Sequence, residues 1–190
     1  MLTIEDIYRD LPSLETDRLR LRKITLDDTK EMFSYGSNEE VTKYVTWDTH
    51  NTMDDTKGFI EFVIKQYESN NLAPWGIEYK STNKLIGTID FVSWKPTHHV
   101  AEIGYVLSPD YWGKGITTEA AEKVIEFGFN KMDLVRIQAK CFVDNNASAR
   151  VMEKIGMRYE GTLRKAAFIK GKHEDLKVYS ILREEYSKTR

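Results

Sequence analysis

The chain has 190 residues and a formal net charge of −2, with 41% hydrophobic and 31% charged side chains, which suits one soluble globular domain, residues 1–190, with its own core. No apolar run nears the ~18 residues of a membrane span, no basic face or stripe marks a nucleic-acid binder, and the acidic, mixed stretch Met1 to Asp10 does not read as a secretory leader. The single Cys141 has no partner for an internal disulfide and no metal-ligand spacing around it, so the expectation is a cytoplasmic chain that uses no metal.

Leu19 to Arg22 alternates apolar and basic residues and predicts an amphipathic strand. Thr25 with Asp28, and Thr52 with Asp55, have the spacing of capping boxes and open two helices. The second helix carries Phe59, Phe62, Val63 and Tyr67 and stops at Ser69-Asn70-Asn71. The period then changes. Trp75 to Lys80 and Leu85 to Val92 predict a hairpin about Ser81–Lys84, and Val100 to Leu107 predicts a third strand after the break at Lys95–His98. A helix follows Gly113-Lys114-Gly115, with Ala120, Ala121, Val124, Ile125 and Phe129 on one side. In the next strand Val135, Ile137, Ala139, Cys141 and Val143 point one way. Asn145 to Ile155 is a short helix that Gly156 stops, and Phe168 to Tyr186 reads as a hairpin about Lys170-Gly171-Lys172. Antiparallel hairpins beside a strand–helix–strand crossover make a mixed α/β (α+β) domain.

The segment Glu102 to Ala121 carries the chemistry. Two glycines at a strand-to-helix junction let the chain turn sharply and bare its backbone, and the helix that starts there points unpaired N–H groups and its positive dipole end outward. Such a loop suits a pyrophosphate; a plain glycine turn is the bland alternative. A Walker loop is excluded because Gly115 follows Lys114, and the dinucleotide fingerprint because Thr118 stands where its third glycine belongs.

Four ordered motifs resemble the GNAT acetyltransferase superfamily, and within it the RimJ/RimL-like branch. They are Glu15-Thr16-Asp17-Arg18-Leu19-Arg20-Leu21-Arg22, Glu102-Ile103-Gly104-Tyr105 with Tyr111-Trp112-Gly113-Lys114-Gly115-Ile116-Thr117-Thr118-Glu119-Ala120, Asn145-Asn146-Ala147-Ser148, and Glu153-Lys154-Ile155-Gly156-Met157. Leu85-Ile86-Gly87 is similar to the family's central strand. The resemblance implies a mostly antiparallel twisted sheet flanked by helices, with a splayed central strand pair, and acetyl-CoA as co-substrate. It places the pyrophosphate on Trp112, Gly113, Lys114, Gly115, Ile116, Thr117 and Thr118. It places the pantetheine arm along Tyr105, Val106 and Leu107 like an added strand, with Asn145 hydrogen-bonding it and Ser148 beside it. Asn145 also reads as the N-cap of its helix. Trp112 replaces the Gln or Arg that usually opens the superfamily's loop, and Thr117 its last small residue, which shifts phosphate binding toward backbone N–H groups.

The reaction so implied is attack of an amine on a thioester, which needs a base for the ammonium and a donor for the leaving thiolate. The resemblance gives Glu102 as base and Ser148 as donor, since Met152 stands where many members have a tyrosine. His98 and His99 read as solvent-exposed turn residues, and His50 and His173 as loop residues. Cys141 on an apolar strand face reads as a buried, inert thiol, so transfer is expected to be direct, in a ternary complex. Tyr44 to His50, Trp94 to His99 and Ala166 to Lys172 are expected to line the acceptor cleft, with Tyr44, Trp47 and Trp94 touching the acceptor. Asp48, Asp54 and Asp55 are candidates to favour a cation, the last two equally as helix-start acids. The acceptor by resemblance is an N-terminal amine, a ribosomal protein's among them, and the resemblance suggests a homodimer. Small amines (a polyamine, an amino sugar, an antibiotic) and a non-catalytic acyl-CoA sensor are the alternatives.

Overall fold

A computed structural model describes residues 2–187; Met1 and residues 188–190 of the expected 1–190 domain lie outside the described residues. In chain order the elements are α1 (Ile4–Tyr8), β1 (Leu14–Glu15), β2 (Leu19–Arg22), a 3₁₀ turn (Leu26–Asp28), α2 (Thr29–Gly36), α3 (Glu39–Thr42), α4 (Met53–Glu68), β3 (Trp75–Tyr79), β4 (Lys84–Lys95) and β5 (Val100–Leu107). There follow α5 (Ile116–Lys131), β6 (Arg136–Phe142), α6 (Asn146–Lys154), β7 (Arg158–Ile169), β8 (Lys172–Leu182) and α7 (Arg183–Tyr186). The strands form one sheet in the order β1-β2-β3-β4-β5-β6-β8-β7. Every neighbouring pair is antiparallel except β5 and β6, which α5 joins as a parallel crossover.

Period two sorts the strand residues between the faces of the sheet. Trp75, Ile77, Ile89, Phe91, Ile103, Ile137 and Ala139 are all buried, and α5 brings Ala120, Ala121, Val124 and Ile125 into the same core. Close approach of α5 depends on Gly128, where an added Cβ would lie 2.9 Å from Ile137 Cδ1 and 3.0 Å from Phe91 Cζ. The opposite face is more polar. Buried Glu78 receives Arg20 at 2.7 Å and Arg22 at 2.5 Å, and Arg22 also grips Asp28 at 2.7 Å. Each of these carboxylates is thereby paired, the condition under which a buried charge is tolerated.

The central feature is a divergence. β5 and β6 pair over four residues only, from Val100↔Arg136 to Ile103↔Ala139. Beyond that point Gly104 to Leu107 keep their partners on β4, while Lys140 to Phe142 keep theirs on β8. The pair splays open, and the edge of β5 that faces β6 is left without a strand from Gly104 onward.

Several sequence expectations need adjustment. The Thr25–Asp28 box forms, but it opens a 3₁₀ turn before α2 rather than a helix directly. Val135 precedes β6 and is exposed, and Val143 follows it, so only Ile137, Ala139 and Cys141 of the five form the buried face. β7 is far longer than the hairpin arm expected from Phe168. As the outer strand, with nearly every residue exposed, it has no apolar alternation to betray it.

Phe91 is fully buried, with the Trp75 ring on one side and Gly128 on the other. Phe91→Ala should therefore destabilise the protein by about 3–5 kcal/mol through lost burial and a residual cavity. Urea unfolding checks this, and a loss below about 1 kcal/mol would mean that the α5–sheet contact collapses to fill the gap.

Candidate active site

Gly113 (φ 73°) and Gly115 (φ 74°) both lie in the left-handed region, where a side chain is strained, and Gly115 is the N-cap of the sixteen-residue α5. Gly115 offers no side chain to cap the helix, so the first-turn N–H groups of Ile116, Thr117 and Thr118 remain open to a ligand. The loop is clamped from behind. Arg18 donates to the Lys114 carbonyl at 2.9 Å and pairs with Glu119 at 2.6 Å, and Thr16 donates to Glu119 at 2.5 Å. Burial opposes the charge on Glu119, but the bonds from Thr16 and Arg18 outweigh it and hold the carboxyl below its ordinary range. The Trp112 indole donates to the Leu107 carbonyl at 2.8 Å, which ties the loop to the end of β5. The Lys114 side chain turns away to the Asp110 carbonyl at 2.7 Å and lies over the Tyr111 ring, outside the groove.

A groove of about 300 Å³ runs from this loop along Tyr105, Val106 and Leu107 to Asn145 and Ser148 on α6. It lies along the open edge of β5. Asn145 caps α6 through its Oδ1, which accepts from the Ser148 N–H at 3.1 Å, and its side chain still borders the groove. Ser148 Oγ is 2.9 Å from the Tyr105 phenol, whose pKa burial pushes up, so the two hydroxyls form a short chain at the mouth of the splay. Met152, at the position where the family resemblance implies a tyrosine in many members, is buried. Arg150 and Lys154, four apart on α6, also line the groove. Sequence reading missed them; their signal was a cationic i, i+4 pair just after the Asn145 motif.

Tyr105, Val106, Asn145, Ser148, Tyr44 and Val45 border both this groove and a second cleft of about 590 Å³ on the far side of the splay. The cleft has an apolar wall of Phe59, Phe62, Leu72, Pro74 and Val92. Phe62 is exposed toward this space. Tyr44 and Trp47 line the cleft, as do Ala166, Ala167 and Ile169 from β7. Trp94 does not. It pairs with buried Ala101, is itself only 5% exposed, and belongs to the core, because a bulge between Phe91 and Ser93 shifts the alternation that would have turned it outward. Residues 95–99 also lie away from the cleft. Asp48, Asp54 and Asp55 are exposed and do not line it, and Asp55 is used to cap α4. His98 and His173 are exposed, while His99 is half-buried and bonded to Asp133. His50 is more packed than expected: it bonds to Thr56 at 2.8 Å and stacks near Trp47, and burial lowers its pKa. Cys141 is buried at the cleft wall and burial pushes its thiol up, away from the thiolate a nucleophile needs.

Two carboxylates reach the cleft. Glu102 Oε2 is engaged by Lys140 at 2.7 Å and by the Gln138 amide at 2.8 Å. Asp90 on β4, which sequence reading did not single out, has no side-chain hydrogen bond or ion pair among the described residues, and burial raises its pKa to about 7. Its signal was a lone acid inside the apolar run Ile86 to Val92. Among the described residues no cluster of metal-ligating side chains occurs, and no helix is long and apolar enough to cross a membrane.

Comparison with known proteins agrees with this geometry. Residues 18–158 match the family model described as Acetyltransferase (GNAT) domain. The uncharacterized N-acetyltransferase YoaA of Bacillus subtilis is 40% identical over 172 residues, 90% of this chain and 97% of that protein. The crystal structure of a GNAT-family acetyltransferase from Bacillus anthracis superposes with a TM-score of 0.81 at 34% identity, covering 91% of this chain and 99% of that one. That of the Microcin C7 self-immunity acetyltransferase MccE, in complex with acetyl-CoA and AMP, gives 0.78 at 29% identity, over 88% of this chain and 93% of that one. The family model and these relatives place the fold: the chain belongs to the GNAT acetyltransferase family and is an N-acetyltransferase that uses acetyl-CoA.

Proposed function

We propose that this enzyme acetylates an acceptor with one primary ammonium on a neutral or apolar body, a protein or peptide N-terminus, by direct attack in a ternary complex. The observation that carries this reading is the make-up of the acceptor cleft. Its wall is largely apolar, and of its two carboxylates Glu102 already has a cation in Lys140. One acid remains for one ammonium. A polyamine would bring several cations into a space that offers them no further carboxylate, at the cost of burying unpaired charge. Relatives differ on this point: the ribosomal-protein-serine acetyltransferase of Escherichia coli is 35% identical over 52% of this chain, and the spermidine N(1)-acetyltransferase of Vibrio cholerae 24% over 89%.

In this reading the β5 edge at Tyr105 to Leu107 pairs with the pantetheine arm, and Asn145 adds a side-chain bond to it. The α5 N-terminus with Gly113 and Gly115 takes the diphosphate, and Arg150 and Lys154 supply the cations that Trp112 and the averted Lys114 do not. Ser148, backed by Tyr105, gives a proton to the departing thiolate, which replaces the tyrosine absent at Met152. Because groove and cleft share Tyr105, Asn145 and Ser148, both substrates meet at the splay and no acyl-enzyme on Cys141 is required.

Three outcomes are expected. Acetyl-CoA at about a hundred times its Kd should stabilise the enzyme by about 2.7 kcal/mol, and Gly115→Val should weaken that binding about tenfold or more, since its backbone is left-handed and the diphosphate approaches there. Normal acetyl-CoA binding by Gly115→Val would place the diphosphate elsewhere. Ser148→Ala should lower kcat by about 10²-fold while leaving acetyl-CoA affinity within a few-fold; an unchanged kcat would remove Ser148 as donor. In a screen read by release of CoA thiol, serine- and alanine-initiated peptides should show higher kcat/KM than spermidine or glucosamine. Preference for spermidine would overturn the acceptor class and leave the N-acetyltransferase assignment standing.

A further inference from the structure

Asp90 lies in the middle of the sheet, paired across β4 and β5 with Gly104. Gly104 is the first residue of β5 that β6 abandons. A Cβ at Gly104 would sit 2.6 Å from Val92 Cγ1 and 3.5 Å from Asp90 Oδ1. The absence of a side chain there keeps the Asp90 carboxylate uncovered toward the cleft, one residue before the Tyr105 backbone where the groove begins. Thr88, Asp90, Glu102 and Gly104 all border the cleft, facing Phe59, Val63 and Gln66 of α4. Phe59, Leu72, Pro74 and Val92 give the cleft an apolar wall, and no lysine, arginine or histidine pairs with Asp90 among the described residues.

We propose that Asp90, and not Glu102, takes the proton from the acceptor ammonium. This rests on the amine-acetylating reading above and names its base. Asp90 carboxylate accepts one proton from R–NH₃⁺. The freed nitrogen lone pair forms the C–N bond to the thioester carbonyl carbon, and the C–S bond breaks. The second nitrogen proton leaves as the amide forms, the thiolate is protonated through Ser148, and protonated Asp90 returns its proton to solvent. Per turnover one ammonium and one thioester give one amide, one thiol and one proton. Glu102 is a poorer candidate because its Oε2 is committed to Lys140 and Gln138 and serves the wall of the cleft.

Burial of an unpartnered carboxylate disfavours its charged form, which raises the Asp90 pKa to about 7. A base so tuned is matched to neutral pH. The titratable groups around it are Glu102 and Tyr105 on β5, Lys140 and Cys141 on β6, Tyr67 on α4, Tyr8 on α1, Tyr44 between α3 and α4, and His50 beyond Trp47. Burial pushes Tyr8, Tyr67, Tyr105 and Cys141 up and His50 down, so none of these five is moved toward neutrality.

The test compares Asp90→Asn and Glu102→Gln with the parent, using a serine-initiated tripeptide amide and phenethylamine as acceptors. For the parent, kcat/KM should rise with pH through about 7 with both acceptors. For Asp90→Asn it should fall about 10²–10⁴-fold at neutral pH, and the remaining rise should follow each acceptor's own titration, about 7.7–8.0 for the peptide and near ~10.4 for an alkylamine. Glu102→Gln should keep the parental rise. A second readout needs no acceptor. Because the folded pKa of Asp90 is raised, the folded state holds an extra proton between about pH 4 and about 7, and parental stability falls as pH rises through that window. Asp90→Asn should therefore melt at higher temperature than the parent above pH 7, with the difference vanishing near pH 4. Loss of the parental rise in Glu102→Gln, with Asp90→Asn near parental, overturns the proposal. A Tm difference independent of pH overturns the claim that Asp90 titrates in this range. If the parent turns over spermidine and neither probe, the acceptor class fails separately, and the same pH profiles taken with spermidine still decide between Asp90 and Glu102.

Discussion

The parting of β5 from β6 after Ile103 is the constraint on which the rest of the molecule depends. Backbone N–H and C=O groups in a protein interior need partners, and a sheet that opens in its centre breaks that rule for one strand edge unless something else fills it. In the function proposed above, the filler is a substrate. The edge from Gly104 to Leu107 is rigid because β4 holds its other side through Leu107↔Gly87 and Val106↔Thr88. β6 is equally rigid because β8 holds it through Phe142. Two stiff arms leave a gap of fixed width, and α6, which follows β6, brings Asn145 and Ser148 to its mouth. Groove and cleft are the two ends of that one gap, which is why the same six residues border both.

The anionic end is built by a different device. Two left-handed glycines bring the chain from β5 into α5 with no side chain in the way, and a clamp of Thr16, Arg18 and Glu119 fixes the turn to the start of β2. The clamp uses the acid of the helix's first turn, which favours the helix dipole as well. Replacement of the usual polar opening residue by Trp112 gives up a phosphate donor and gains a tie to the Leu107 carbonyl, so loop and strand end move as one piece. In the proposed function, positive charge for the phosphates then comes from Arg150 and Lys154 across the groove, on α6 rather than on the loop.

Much of this was legible in the sequence because it depends on local chemistry. Gly113 and Gly115 at a strand-to-helix junction, the strand Val100 to Leu107 after the break at Lys95–His98, and the capping boxes at Thr25 and Thr52 each announce themselves within a few residues. What was not legible depends on distant partners. β7 is exposed along its length, so no hydrophobic period marks it. Trp94 reads as an acceptor-cleft residue next to a turn until the bulge after Phe91 turns it into the core. Glu102 sits where the family resemblance puts it, but its engagement by Lys140 and Gln138, four and two residues after the start of β6, exists only once β6 is laid beside β5. Asp90 was passed over for the same reason: an acid in an apolar strand gains meaning only from what surrounds it.

The two carboxylates of the cleft also show how function and stability divide. Evolution of a stable fold favours what was done with Glu102, Glu78 and Asp28, each given a cation within hydrogen-bonding distance. Asp90 received none, and an unpaired, enclosed carboxylate is destabilising at neutral pH in proportion to how far its pKa is raised. A lysine or arginine within reach would remove that cost and at the same time occupy the place of an incoming ammonium. Gly104, which keeps the carboxylate uncovered, points the same way, since even a methyl group there would crowd Val92. The site thus remains strained until an amine enters, and the interaction that relieves the strain is the one that sets up the transfer.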